Sequence, residues 1–458
     1  MNALRKQDRQ FYRTLWSLAV PILLQNLVTQ CLSLTDTFMV GLLGERQLAA
    51  VTLANTPFFV VLMMIFGMQS GGGVLASQYW GKGDKAAISR ILGIALYVAF
   101  GAGMIIALAA ALIPEAIVGL VTNNQDLAAI AVGYMRIVGW SYLFNAVSAM
   151  FVGIHRSVGN AKFGLILYSC SMALNTFLNW VLIFGKLGAP ALGVEGAALA
   201  TLIARIFEFL VAVVYVARSR VFRPDVRLML RPGAAMTRDF IRYATPVVVN
   251  ETLWGLGTSL YQVIMGHMDG STAIMAAYTI AGNVEKLCTT ATLAIGSATT
   301  IMVGTRMGAG DEDGAYQTGS ALNFLTTAVA VVIALALASL ISTFIAPVVY
   351  PKFDLSADAR TISTAMLVVL CFTMPFKGFN TTNIIGVVRG GGDVRTAMYI
   401  DVGFLYGLSI PAAALAGLVF GWGITVVYSC ILLEEICKAL VGYWRFRSKK
   451  WMLNLTRA

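Results

Sequence analysis

The sequence predicts an all-α integral membrane protein of twelve transmembrane helices, built as two pseudo-symmetric six-helix lobes. Three observations predict it. The 458-residue chain is 58% hydrophobic and only 12% charged, with a mean hydropathy of +0.77, far outside the balance of a soluble domain. Long apolar runs follow one another with short polar breaks. A set of landmarks also recurs at nearly one offset. Gly81-Lys82-Gly83-Asp84 returns as Gly308-Ala309-Gly310-Asp311 after 227 positions, and Pro21 and Gly41 return as Pro246 and Gly266 after 225. Gly153-x-x-Arg156-x-x-Gly159-Asn160 returns as Gly386-x-x-Arg389-x-x-Gly392-Asp393 after 233. A nearly constant offset over such a span marks two halves from one ancestral unit, an arrangement that in membrane proteins points to transport with the site between the halves.

Taken in order, the apolar runs occupy about 15–42, 48–79, 91–113, 127–154, 162–184 and 193–217 in the first half. In the second they occupy about 243–267, 274–304, 317–346, 361–388, 395–419 and 423–444. Each can cross roughly 30 Å of hydrocarbon as a helix, and the longer ones require tilt or protrusion. The ten-residue alternation of a β-barrel is absent. No short apolar core followed by a small-residue cleavage site precedes residue 15, so the first helix is expected to be retained. The repeated Gly/Asp elements fall at the inner breaks, where Gly permits positive φ and Asp caps the next helix.

Basic residues orient the chain. Of the 33 Lys and Arg, 24 fall in segments that share a side with the N-terminus. Only Arg46, Lys186, Lys352 and Arg360 fall on the other side, and Arg136, Arg205, Lys286, Lys377 and Lys438 lie within spans. This bias predicts a multi-pass plasma-membrane protein with both termini cytoplasmic. The net charge of +11 sits in short loops at helix ends, where topology and anionic membrane lipid account for it, so no nucleic acid partner is expected. The six cysteines (Cys31, Cys170, Cys288, Cys371, Cys430 and Cys437) all lie in apolar spans without metal-ligand spacing and read as small packing residues.

The domain organisation follows. Residues 1–217 form an N-terminal six-helix lobe, 218–242 a basic cytoplasmic linker with Pro224 and Pro232, and 243–458 a C-terminal lobe. Six helices per half is even, so the halves should be related by an axis along the membrane normal. No G-x-x-x-x-G-K-[ST] loop is present, so any pumping must draw on an ion gradient. With only His155 and His267, no His-based catalytic or metal cluster is available. No enzymatic activity and no cofactor are expected.

Particular residues bear a family likeness. Pro21 with Thr35-Asp36-Thr37-x-Met39-Val40-Gly41, then Leu48-Ala49-Ala50-Val51, then Ser77-Gln78-Tyr79-Trp80-Gly81-Lys82-Gly83-Asp84, resembles the multidrug and toxic compound extrusion (MATE) transporters. So do Gly159-Asn160-x-Lys162, Asn175-x-x-x-Asn179 and Gly193-x-x-Gly196-Ala197-Ala198-x-Ala200-Thr201. The likeness covers essentially the whole chain, and Asn250-Glu251 in the seventh span places it nearest the bacterial NorM-type branch. The resemblance implies two lobes forming a V-shaped central cleft, and a monomeric antiporter that uses Na⁺ or H⁺ to export small amphiphilic, often cationic organic compounds. Two alternatives stay open: a dedicated exporter of one natural product or cofactor, and a lipid-linked oligosaccharide flippase of the same superfamily.

Charges inside apolar spans are costly and mark functional candidates. Asp36 lies about twenty residues into the first helix with no basic residue one turn away. Asn175 and Asn179 share one face of the fifth helix, and Ala197 and Thr201 share a face of the sixth. A carboxylate, two amide oxygens, a hydroxyl and a free carbonyl are hard ligands suited to Na⁺ or to a proton held on Asp36. The resemblance, rather than spacing, implies that these positions converge as a cation site, with Na⁺ at Asp36, Asn175, Asn179 and Thr201. In the second lobe the candidates for a proton or substrate site are Glu251, Tyr261 (the offset partner of Asp36) and Lys377. Glu251 pairs either with an Arg such as Arg242 or serves as a cleft carboxylate. Lys377 pairs with Glu251, contacts an anionic substrate group, or lines no cavity. The NorM-type branch carries an Asp where this chain has Gly378, which puts a two-carboxylate site in that lobe in doubt. Glu285/Lys286, Arg205/Glu208 and Glu434/Glu435/Lys438 are expected to compensate locally, and Arg136 has no evident partner.

Overall fold

A computed structural model describes residues 7–457 except 123 and 354. The described residues form twelve long helices. The first six are α1 (Arg9–Gly41), α2 (Glu45–Lys82), α3 (Lys85–Leu112), α4 (Gln125–Ser157), α5 (Ala161–Phe184) and α6 (Gly193–Arg218). The second six are α7 (Ala234–Gly266), α8 (Ser271–Gly308), α9 (Glu312–Lys352), α10 (Ala357–Val388), α11 (Val394–Val419) and α12 (Ile424–Arg447). Ten of them are long and apolar enough to cross a membrane. The two outside that set are α7, which carries Arg238, Arg242, Asn250 and Glu251, and α12, which carries Glu434, Glu435 and Lys438. Their polar load lowers their hydropathy without shortening them. The exterior is apolar: Ile105, Leu335 and Phe372 are about 70% exposed, as a lipid-facing surface requires. The chain is a multi-pass membrane protein.

The repeated turns are built as their residues dictate. Gly83, Gly159, Gly310 and Gly392 adopt φ of +81°, +88°, +78° and +101°, a region open to Gly at little cost. Asp84, Asp311 and Asp393 then accept backbone N–H bonds from Ala87, Gly314 and Thr396 at the starts of α3, α9 and α11. Asn160 differs: its side chain makes no cap and donates instead to the Tyr215 hydroxyl at 2.8 Å.

The repeat extends past the last helix of each half. Four residues beyond Arg218 stands Phe222, and four beyond Arg447 stands Trp451, 1% and 0% exposed. Phe222 packs 5.9 Å from the His155 ring near the α4–α5 turn. Trp451 donates from Nε1 to the Phe446 carbonyl at 3.0 Å, and Leu453 N–H bonds the Gly391 carbonyl at 2.8 Å in the α10–α11 turn. Each half thus returns an aromatic residue to plug the same turn.

Compactness divides the chain into Val20–Val248 and a second unit of Val249 onward together with the residues up to Ala19. Both divisions fall inside the first helix of a repeat, within three residues of Pro21 and Pro246. The segment 218–242 and the start of α7 therefore group with the first six helices. Small residues make that packing close: a side chain on Gly71 would meet the Ala244 backbone, and one on Gly67 the Val248 backbone. The second unit is less regular. π-helical turns interrupt α9 at Ile341–Val349, α10 at Thr381–Val388 and α11 at Leu405–Ser409 and Leu415–Val419.

Candidate functional site

In the unit Val20–Val248, α1, α5 and α6 bring four of the five candidate residues into one hydrogen-bonded chain. Asn179 Nδ2 donates to Asp36 Oδ1 at 2.6 Å and to Asn175 Oδ1 at 3.1 Å. Asn175 Nδ2 in turn lies 3.4 Å from Thr201 Oγ1. Asn175 and Asn179 are 2% and 1% exposed, whereas Asp36 is half-buried. The i,i+4 spacing places both amides on the face of α5 that meets α1 and α6, as the sequence pattern requires. Asn179 Oδ1 is buried with no hydrogen-bond partner. A buried amide oxygen left without a donor beside a carboxylate is a free acceptor, and one negative charge with neutral oxygens suits a monovalent cation or a proton. Among the described residues no group of three or more His, Cys, Asp or Glu could hold a metal ion.

Ala197 is buried next to this array within the uninterrupted helix Gly193–Arg218, so its carbonyl serves the helical ladder. Arg205, one turn beyond Thr201, is neutralised by Glu208 at 2.6 Å, the local pair the sequence suggested. Arg136 does have a partner, the exposed Glu115.

The unit containing Val249 onward is organised by ion pairs between helices. Glu251 on α7 pairs with Arg389 at the end of α10 at 2.7 Å, with Arg389 1% exposed; the partner is the arginine of the repeated motif, not Arg242. Lys377 on α10 pairs with Glu285 on α8 and lies 3.8 Å from Glu435 on α12. It is therefore paired, but not with Glu251, and Glu285 is compensated across helices rather than by Lys286. Tyr261 shares a 2.6 Å hydrogen bond with Ser409, whose hydroxyl also reaches the Ile431 carbonyl at 3.0 Å. That contact ties α7, α11 and α12 together at the π-helical turn Leu405–Ser409. Gly378 has a steric cause: a Cβ there would lie 2.5 Å from that of Ala330 and 3.4 Å from Thr292 Cγ2. The close approach of α8, α9 and α10 leaves no room for a carboxylate at this position.

Sequence reasoning missed Asp401. It lies on α11, receives a 2.7 Å ion pair from Lys438 and accepts a 3.1 Å hydrogen bond from Asn250 Nδ2. The rule that singled out Asp36, an acid inside an apolar span, applies equally to Asp401 in 395–419 and was the available signal. Lys438 also lies 3.3 Å from Glu434, so the local pair expected on α12 exists but is the weaker half of a three-residue cluster.

The fold places the chain in the class of membrane transporters through its family. The MatE family model matches residues 21–181 and 246–415, one match in each half, and the chain belongs to that family. It is 24% identical to the uncharacterized transporter YisQ of Bacillus subtilis, over 98% of this chain and 97% of that protein. It is 28% identical to the probable multidrug resistance protein NorM of Bradyrhizobium diazoefficiens, over 96% and 93%. Among solved structures it resembles the Vibrio cholerae MATE transporter VcmN, with a TM-score of 0.87 at 19% identity over 99% of both chains. At that identity the structural match speaks for the shared fold.

Proposed function

We propose that this protein is a cation-coupled antiporter that exports amphiphilic, cationic organic compounds by alternating access, with Na⁺ or H⁺ bound at Asp36. The observation that carries the reading is the Asp36–Asn179–Asn175–Thr201 chain with its unpartnered Asn179 Oδ1. Such an array holds one monovalent cation and returns to neutrality when loaded. Cation entry from outside is favoured by the membrane potential at about 2.3 kcal/mol per charge per 100 mV. The names of the NorM relatives support multidrug export as the output. The bias of 24 basic residues on one side against four on the other supports cytoplasmic termini, and the bacterial relatives support an inner-membrane setting. No cofactor enters this scheme, the coupling ion being substrate, and a monomer suffices for it.

A flippase of anionic lipid-linked sugars is disfavoured by the charge pairing. Its cargo requires free cations, but Arg136 and Lys377 are matched by Glu115 and Glu285. Efflux of a cationic dye into inverted vesicles, driven in turn by a Na⁺ gradient and by a pH gradient, tests the proposal. Dye movement with one gradient supports it, and movement with neither contradicts it.

A further inference from the structure

The second unit holds more acid than base in its interior. Glu251, Glu285, Asp401, Glu434 and Glu435 face Arg389, Lys377 and Lys438 in three groups, Glu251–Arg389, Glu285–Lys377–Glu435 and Asp401–Lys438–Glu434, which adjoin through the chain neighbours Asn250/Glu251 and Glu434/Glu435. Lys286, beside Glu285, is exposed and does not join it. Uncompensated charge at membrane depth is expensive, so a set with two surplus carboxylates is expected to hold protons.

The hydrogen bonds indicate where. Glu434 is 6% exposed, and its Oε2 is buried without a partner, while its Oε1 lies 3.3 Å from Lys438 Nζ. It is the one carboxylate oxygen of this set that is buried and unbonded among the described residues. Lys438 is drawn instead to Asp401 at 2.7 Å. Glu435, the neighbour of Glu434, accepts from Asn380 Nδ2 at 2.8 Å and faces Lys377. A desolvated carboxylate oxygen without a donor is strongly disfavoured when charged, and a proton on it removes the penalty.

We propose that Glu434 is a proton-binding group of the second lobe, with Lys438 as a positioning residue shared between Glu434 and Asp401. When Glu434 takes a proton from water onto Oε2, Lys438 belongs to Asp401 alone and the three-residue cluster is neutral. When the proton leaves to water, Lys438 bridges both carboxylates and the cluster carries one negative charge. The other groups facing Glu434 are Glu435 on its own helix, Lys377 from α10 and the Tyr261 hydroxyl from α7; Lys377 is shared with Glu285 from α8, and Tyr261 is hydrogen-bonded to Ser409 from α11. The site lies on α11 and α12, apart from Asp36. Its chemistry stands alone, and only its use in transport rests on the antiport reading.

Infrared pH titration of the full-length protein in lipid nanodiscs tests it through the C=O stretch of protonated carboxyl groups. The expected result is a band at neutral pH that is lost in Glu434→Gln, shifted in frequency in Glu434→Asp and retained in Asp36→Asn. In Lys438→Met the band should persist to higher pH, because loss of the ammonium favours the protonated acid. A spectrum unchanged in both Glu434 variants overturns the proposal, as does a titration indifferent to Lys438→Met. Retention of the band in an Asp36→Asn protein that still couples normally would refute the antiport assignment at Asp36 and leave the Glu434 site standing.

Discussion

Asn179 donates to Asp36 at 2.6 Å while its own amide oxygen is buried without a partner. The amide thus positions the carboxylate and offers a neutral oxygen beside it. Asn179→Leu keeps the volume but removes both functions. We expect it to reduce gradient-driven efflux about tenfold or more, with a stability loss on the order of 1–3 kcal/mol because buried Asn175 Oδ1 loses its donor. Dye efflux in vesicles normalised to protein level checks this; near-normal efflux would show that Asp36 acts without its partner.

Arg389 and Glu251 form a pair at 2.7 Å with both side chains largely removed from solvent. Removing one partner strands the other, a loss on the order of 3–5 kcal/mol. Arg389→Met should therefore lower the thermal unfolding midpoint sharply. The double variant Arg389→Met/Glu251→Met should recover much of the loss. Equal midpoints for wild type and the single variant would make the pair a bystander.

Gly378 is held by Ala330 at 2.5 Å from its hypothetical Cβ. Gly378→Ala is expected to cost about 1–3 kcal/mol through overpacking, and Ala330→Gly in the same chain to relieve it. Unfolding midpoints of the two proteins test the steric origin; a fully stable single variant contradicts it.

Trp451 is fully buried against Phe446 and beneath the α10–α11 turn. Trp451→Ala should lose on the order of 3–5 kcal/mol as a large cavity opens. Faster proteolysis between Ser448 and Leu455 in limited digestion should accompany it, and a digestion pattern like wild type would argue against the plug.

The twelve helices, the duplicated turns and the first-lobe candidates were legible because each has a one-dimensional mark. An apolar run reads as a helix, a Gly-x-Gly-Asp element as a capped turn, and Asn175-x-x-x-Asn179 as one face. The second lobe resisted because its chemistry is relational. Glu251 meets Arg389 and Lys377 meets Glu285 across 138 and 92 positions, and no local pattern encodes such pairs. Local compensation within α12 was visible at Glu434 and Lys438, yet the stronger partner, Asp401, came from another helix. The plugs Phe222 and Trp451 escaped notice because they lie beyond the helices, where periodicity ends. Ala197 lies inside an intact helix, so its carbonyl already serves the helical ladder and has one lone pair left to offer.

The central claim, exchange of one cation at Asp36 for substrate, is tested most directly by substrate-triggered cation flux. Proteoliposomes are loaded with Na⁺ at a fixed pH, a cationic dye is added to one side, and Na⁺ and H⁺ movement are followed at once. The account predicts an opposing flux of one of the two ions with wild type and its loss with Asp36→Asn, although the variant still binds dye. Equal ion flux in the two proteins, or dye transport without any ion movement in wild type, would contradict it.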